Sequence, residues 1–183
     1  IGTSICSFTG QMLAMLSLPF FLQETLERSD VITGLLLTPW PIATMIIAPL
    51  AGRLVERIHA GILGGIGMTI FATGLFLLAI LPSNPTNMDI IWRLFICGSG
   101  FGLFQTPNNS TIISSAPSNR SGGASGMLGT ARLLGQTLGA TQVAMIFYLV
   151  PINSSQTCLY LATGFAAVAA IVSCLRISQP HPL

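Results

Sequence analysis

The sequence predicts an all-α, polytopic membrane protein built as a six-transmembrane-helix bundle, and three observations predict it. No charged residue stands between Ile1 and Gln23, between Val31 and Gly52, or between Gly61 and Met88. Each run is long enough to cross the hydrocarbon layer, which takes about 20 apolar residues at about 1.5 Å of rise each. Charged residues make up 7% of the chain, against about 25% in a soluble domain. The runs also lack the period-two alternation of a barrel strand, which leaves helices as the spanning elements, because a helix satisfies its backbone groups internally.

Hydropathy sets the spans at about 1–23, 31–52, 61–81, 90–112, 122–150 and 157–175 of the 183 residues. The first ends before Glu24, Glu27, Arg28 and Asp30. The second begins at Val31, is interrupted by Pro39, Pro41 and Pro49, and ends at Arg53; prolines there can kink the helix and free carbonyls. The third opens on the glycine-rich run Gly61–Gly65. The fourth follows Asp89, carries Arg93 near one interface, then Gly98, Gly100, Gly102 and Pro107. The fifth holds two small-xxx-small pairs, Gly122/Gly126 and Gly135/Gly139, a spacing that lets helix backbones approach closely in lipid. The sixth stops at Arg176. Connections this short leave no room for an extramembrane domain.

The few charges orient the bundle. Lysine is absent, and the seven cations are Arg28, Arg53, Arg57, Arg93, Arg120, Arg132 and Arg176. The second loop holds Arg53 and Arg57, the fourth Arg120 and the tail Arg176. The first loop is mixed, the third ends in Asp89 and the fifth is uncharged. By the positive-inside tendency both ends of the chain are expected in the cytoplasm. A net charge of +2 without a basic run gives no reason to expect nucleic-acid binding. Cys6, Cys97, Cys158 and Cys174 stand singly in apolar surroundings and read as packing residues. The chain opens on isoleucine, without the basic segment and cleavage site of a signal peptide, and reads as a fragment whose N-terminus lies upstream.

Several residues are candidates for chemistry. Gly52-Arg53-Leu54-Val55-Glu56-Arg57 joins the second and third spans, and a helical turn there would let Glu56 pair with Arg53 or Arg57. Arg132 falls roughly ten residues into its helix, on the order of 15 Å from its start. Ser125, Gly129, Arg132, Gln136 and Gly139 share a face at about 100° per residue. An arginine at that depth snorkels to the surface, pairs with a helix end, or faces a cavity. For Arg93, snorkelling or pairing with Asp89 is the expectation. Trp40, Met45, Gln105, Asn108, Asn109 and Gln136 are the other polarisable or amide side chains within spans. An aromatic and methionine lining suits lipophilic cations, and Asn108 and Asn109, just after Pro107, are the main polar cavity candidates. No Asp or Glu lies within a span. No nucleotide-binding loop, metal-ligand cluster or Ser/His/Asp set is present, and His59 and His181 fall in a loop and a tail, so neither an enzyme nor a resident cofactor or metal is expected.

Three stretches resemble a known family. Pro49-Leu50-Ala51-Gly52-Arg53-Leu54-Val55-Glu56-Arg57-Ile58 is similar to the cytoplasmic loop motif G-x-L-a-D-R-x-G-R of the major facilitator superfamily, with Glu56 where aspartate is usual. The match departs after that, because His59 and Gly61 stand where glycine and a second basic residue are common. Arg93 through Asn109 resembles the R-x-x-x-x-G-x-G-x-G helix of fourteen-span drug:proton antiporters. Ser121 through Gly139 resembles their A-S-G-x-x-N-T-x-R-x-x-G-x-x-x-G segment, with Gly129 replacing the usual asparagine. The Leu-Leu-Gly-Gln version is similar to the methyl viologen and quaternary-ammonium exporters.

The resemblance implies that residues 1–183 form the C-terminal half of a major facilitator fold. Gly52, Arg53, Glu56 and Arg57 would then gate, and Arg132, Gln136, Asn108, Asn109, Gln105, Trp40 and Arg93 are the candidates for the cavity or for helix pairing. It also implies export of a drug or lipophilic cation in exchange for protons across a bacterial inner membrane, by one half rocking against the other. The partners implied are the substrate, protons, the bilayer and the missing N-terminal half, which must supply the coupling acid. A metabolite or siderophore exporter of the same fold, or a non-transporting membrane scaffold, is the alternative.

Overall fold

The computed structural model describes residues 1–82, 84–117, 121–150 and 152–175. Its elements are α1 (Gly2–Phe20), which continues into a π-helical turn at Phe21–Thr25, α2 (Asp30–Leu37), α3 (Pro39–Leu54), α4 (Ala60–Ala79), α5 (Asn87–Ser114), α6 (Ser121–Leu149) and α7 (Ser154–Leu175). No strand occurs among the described residues. The protein is a helical membrane bundle, and the six expected spans map onto these helices in order.

The second span is divided because of its prolines. Pro39 has no N–H to give the Leu35 carbonyl, and the Thr38 N–H takes that oxygen instead, at 3.2 Å. Pro39 itself occupies the first turn of α3, where a missing donor costs nothing. Pro107, by contrast, lies within a continuous α5.

Among the described residues, four segments are long and apolar enough to cross a bilayer: Gly2–Thr25, Asp30–Leu54, Ala60–Ala79 and Ser154–Leu175. The fourth and fifth expected spans, α5 and α6, are longer still at 28 and 29 residues. Their glycine, hydroxyl and amide content leaves them outside that set by hydropathy, and α5 is instead enclosed by its neighbours.

In space the helices follow the order α3–α5–α4–α7–α1–α6. Lipid offers no hydrophobic drive for this pairing, so close backbone approach decides it. The alternate glycines of α5 show how. Successive positions in Gly98-x-Gly100-x-Gly102 turn by about 200°, which puts the first and third on one side and the second on the other. A Cβ on Gly98 would meet the Trp40 carbonyl, and one on Gly102 would lie 3.2 Å from Thr44, both on α3. A Cβ on Gly100 would overlap Phe71 N and approach the Gly67 carbonyl of α4 to 2.7 Å. On α6, Gly135 and Gly139 meet the Ile5 and Thr9 carbonyls of α1, whereas Gly122 and Gly126 meet nothing within 4 Å.

The row of helices curls until α1 reaches α5. Rings from four helices connect across the core: Trp40 to Phe71 at 5.6 Å, Phe71 to Phe101 at 5.5 Å and Phe101 to Phe8 at 5.9 Å. At one end of the bundle Arg28 Nη2 donates to the Pro85 carbonyl at 3.2 Å, joining the first and third connections. At the other, Ser173 Oγ donates to the Gly61 carbonyl at 3.1 Å, joining the end of α7 to the start of α4. Arg53 and Arg57 fall at this second end. Arg120, Arg176 and His181 lie outside the described residues.

Candidate functional site

Between α1, α5 and α6 the bundle leaves a cleft of about 200 Å³. Phe8 of α1, Gln105 and Asn109 of α5, and Ser125, Leu128, Gly129 and Arg132 of α6 line it. Three candidates from distant parts of the sequence, Gln105, Asn109 and Arg132, are therefore brought together. Ser125, Gly129 and Arg132 present the face of α6 expected from helical spacing, while Gly139 on the same face packs against α1 and Gln136 is half-buried.

The cleft has a particular electrostatic character. Arg132 is exposed, and its guanidinium lies 5.8 Å from the centroid of the Phe8 ring, near the outer limit of a cation–π contact at about 6 Å. Among the described residues it forms no ion pair, and no acid lines the cleft. Asn109 Oδ1 is buried without a hydrogen-bond partner. Buried polar atoms are nearly always bonded, so this oxygen is an acceptor held in reserve.

Asn108 points elsewhere. It is buried, and its Nδ2 donates to Ser4 Oγ of α1 at 2.9 Å. Asn108 thus joins the two helices behind the cleft. Trp40 lies in the core, 5% exposed and packed edge-on to Phe71. Met45 is exposed on α3. Arg93 is held at the far end of α5: its Nη1 donates to the Asp89 carbonyl at 3.1 Å and lies 4.0 Å from Asp89 Oδ1, with the guanidinium over the Trp92 ring at 4.7 Å. Pairing with Asp89 is what the geometry shows for it. Asp89 closes a capping box with Thr86, accepting from its hydroxyl at 2.6 Å and its N–H at 3.1 Å. Those hydrogen bonds hold the carboxyl below the usual carboxylate range.

The loop motif lies at the opposite end. α3 stops at Leu54, and the Arg57 and Ile58 N–H groups both return to the Leu54 carbonyl, at 3.0 and 2.8 Å. Arg53, Glu56 and Arg57 are exposed, and among the described residues Glu56 is not within ion-pairing distance of either arginine. A single hydrogen-bonded turn follows the helix there, and it does not bring the Glu56 carboxylate to either guanidinium. Gly52 faces Thr106 of α5. His59 Nδ1 accepts from the Gly61 N–H at 3.1 Å and caps α4.

Phe8 and Ser4 carried no signal in the sequence. Both lie in an uncharged run whose composition says only that it spans, and their roles depend on partners about a hundred residues away in α5 and α6.

Comparison with known proteins relates the chain to transporters. A family model described as Major Facilitator Superfamily matches residues 1–140. The chain is 61% identical over 181 residues to YebQ, an uncharacterized transporter of Escherichia coli, covering 99% of the chain and 40% of that relative. It is 33% identical over 137 residues to the multidrug resistance protein Stp of Mycobacterium tuberculosis, covering 74% of the chain and 25% of Stp. It is 29% identical over 143 residues to the riboflavin transporter RibZ of Clostridioides difficile, covering 78% of the chain and 31% of RibZ. The chain therefore spans well under half the length of each.

Proposed function

Because the chain belongs to the major facilitator superfamily, we propose that it forms the C-terminal six-helix half of a secondary active transporter. The complete protein exports drugs or other lipophilic compounds, cationic ones among them, across a bacterial inner membrane in exchange for protons. This half rocks against an N-terminal half, with both of its own ends in the cytoplasm. Substrate sits between the halves, and the face bearing Phe8, Gln105, Asn109 and Arg132 is this chain's share of the cavity wall. The exposed Gly52–Arg57 loop serves as one element of a gate.

The observation that carries this reading is the cleft. It brings a cation, two amides and an aromatic ring from three helices onto one open face. A non-transporting scaffold has no use for an arginine and a buried free acceptor on an open face, where each costs stability. The names of two relatives, a multidrug resistance protein and a riboflavin transporter, agree with transport of small organic molecules. A coupled pump needs an embedded group that changes protonation; with no acid in this cleft, that group belongs to the N-terminal half.

A second reading, export of a polar metabolite, is favoured by the two amides that face the cleft beside Arg132. A competition panel on the complete protein separates the two. Inhibition of transport by lipophilic cations supports drug export, and indifference to them supports the metabolite reading. Expression of residues 1–183 alone should give no efflux; efflux equal to that of the complete protein would refute the assignment of this chain as one half.

A further inference from the structure

Three polar groups left without partners converge on one spot. The Arg132 guanidinium and the Gln105 amide line the cleft with no hydrogen bond or ion pair among the described residues, and Asn109 Oδ1 is buried and bonded to nothing. Their chemistry is complementary to one kind of group. A guanidinium presents its N–H donors as a planar fork that meets a carboxylate in two parallel bonds, and the Gln105 amide adds N–H donors beside it. No acid among the described lining residues compensates the charge. A guanidinium on a cavity wall within a membrane usually faces a partner.

We propose that Arg132, supported by Gln105, is a carboxylate-binding subsite. Asn109 Oδ1 accepts an N–H or O–H from the same ligand, and the Phe8 ring supplies an apolar plane. The inference rests on reading this face as cavity wall. The carboxylate has two possible sources with the same chemistry. It belongs to an exported amphipathic acid, or to an acidic side chain of the rest of the transporter, which Arg132 holds until a proton or a cationic substrate displaces it. Gly129 leaves room for either, since nothing lies within 4 Å of a Cβ placed there.

The test uses the complete transporter, purified and also reconstituted in proteoliposomes, with a rhodamine free acid and its methyl ester as probes. Binding is read by fluorescence anisotropy and transport by dye movement under a pH gradient. Arg132→Gln removes no hydrogen bond or ion pair among the described residues, only the 5.8 Å approach to the Phe8 ring. If the substrate supplies the carboxylate, Arg132→Gln weakens binding of the acid about tenfold or more and the ester by less than about twofold, and Arg132→Lys recovers part of the loss. If the protein supplies it, both dyes respond alike and Arg132→Gln moves the pH profile of transport to higher pH, because the acid loses the cation that favoured its charged form. Unchanged affinities together with an unchanged pH profile would overturn the proposal, as would a wild-type protein that binds neither dye and shows no Arg132-dependent pH profile. A wild type that binds the acid through Arg132 yet moves neither dye would sink the transport reading and leave the subsite standing.

Discussion

Asn108 Nδ2 donates a hydrogen bond of 2.9 Å to Ser4 Oγ, tying the C-terminal part of α5 to the start of α1. With the Phe8–Phe101 ring contact at 5.9 Å it sets how far α1 stands from α5, and so how wide the cleft opens on their other side. Ser4→Ala should destabilise the protein by about 0.5–1.5 kcal/mol. A thermal-unfolding cycle of Ser4→Ala with Asn108→Ala should show coupling of at least about 0.5 kcal/mol. Strictly additive losses would mean the bond carries no energy.

Glycines that touch a neighbouring backbone should be intolerant, and those facing open space should not. Gly100→Ala pushes a methyl into Phe71 N and the Gly67 carbonyl, and should cost about 1–3 kcal/mol as overpacking. Gly164→Ala meets nothing within 4 Å and should be neutral or gain up to about 1 kcal/mol of helix propensity. Melting temperatures of the two variants in detergent decide the matter, and equal values would contradict the close α4–α5 approach.

Trp40 and Gln105 should separate stability from substrate affinity. Trp40 is buried against Phe71, so Trp40→Ala should lower stability by about 3–5 kcal/mol and reduce the amount of folded protein. Gln105 lines the cleft, so Gln105→Ala should leave stability within about 0.5 kcal/mol and raise the apparent KM for transport. A Trp40 variant with normal stability and altered KM would reassign that residue to the cavity.

The start of α5 should loosen in acid. Hydrogen bonds from Thr86, the hydroxyl foremost, hold the Asp89 carboxyl below its ordinary value of 3.8. A depressed pKa in the folded state means that the stabilisation is present above the ordinary value and is lost as the pH falls through the depressed one. Amide protection at Ile90 and Ile91, corrected for intrinsic exchange, should therefore fall only below that range. Asp89→Asn should abolish the pH dependence, and protection that already declines near neutrality would point to another group.

Much of the architecture was legible because bilayer thickness acts directly on sequence. The run without charge from Ile1 to Gln23 is long enough to cross the hydrocarbon layer, and Pro39, Pro41 and Pro49 mark the second span as one open to interruption without saying which of them breaks it. The shared face of Ser125, Gly129 and Arg132 also follows from helical spacing alone. The choice between the readings of Arg132 and Arg93 was not legible. Arg93 has Asp89 one turn away, a partner that spacing could suggest, whereas the surroundings of Arg132 come from Phe8 and Asn109 on other helices. Nothing marked Trp40 for the core rather than the cavity, since an aromatic ring suits both.

By itself, the sequence determined that the chain is a helical membrane protein, roughly where its spans fall, and that no Asp or Glu lies within the apolar spans it predicts. Only the tertiary structure decided which helices touch, that Asn108 turns inward while Asn109 faces the cleft, and that Gly135 and Gly139 pack while Gly122 and Gly126 do not. The physical reason is the solvent. In lipid an apolar side chain is equally at home against a neighbour or against an acyl chain, so composition records depth without recording direction. Direction comes from backbone contact between distant segments, such as the approach of α5 to α3 and α4 at its alternate glycines, and that exists only once the helices have met.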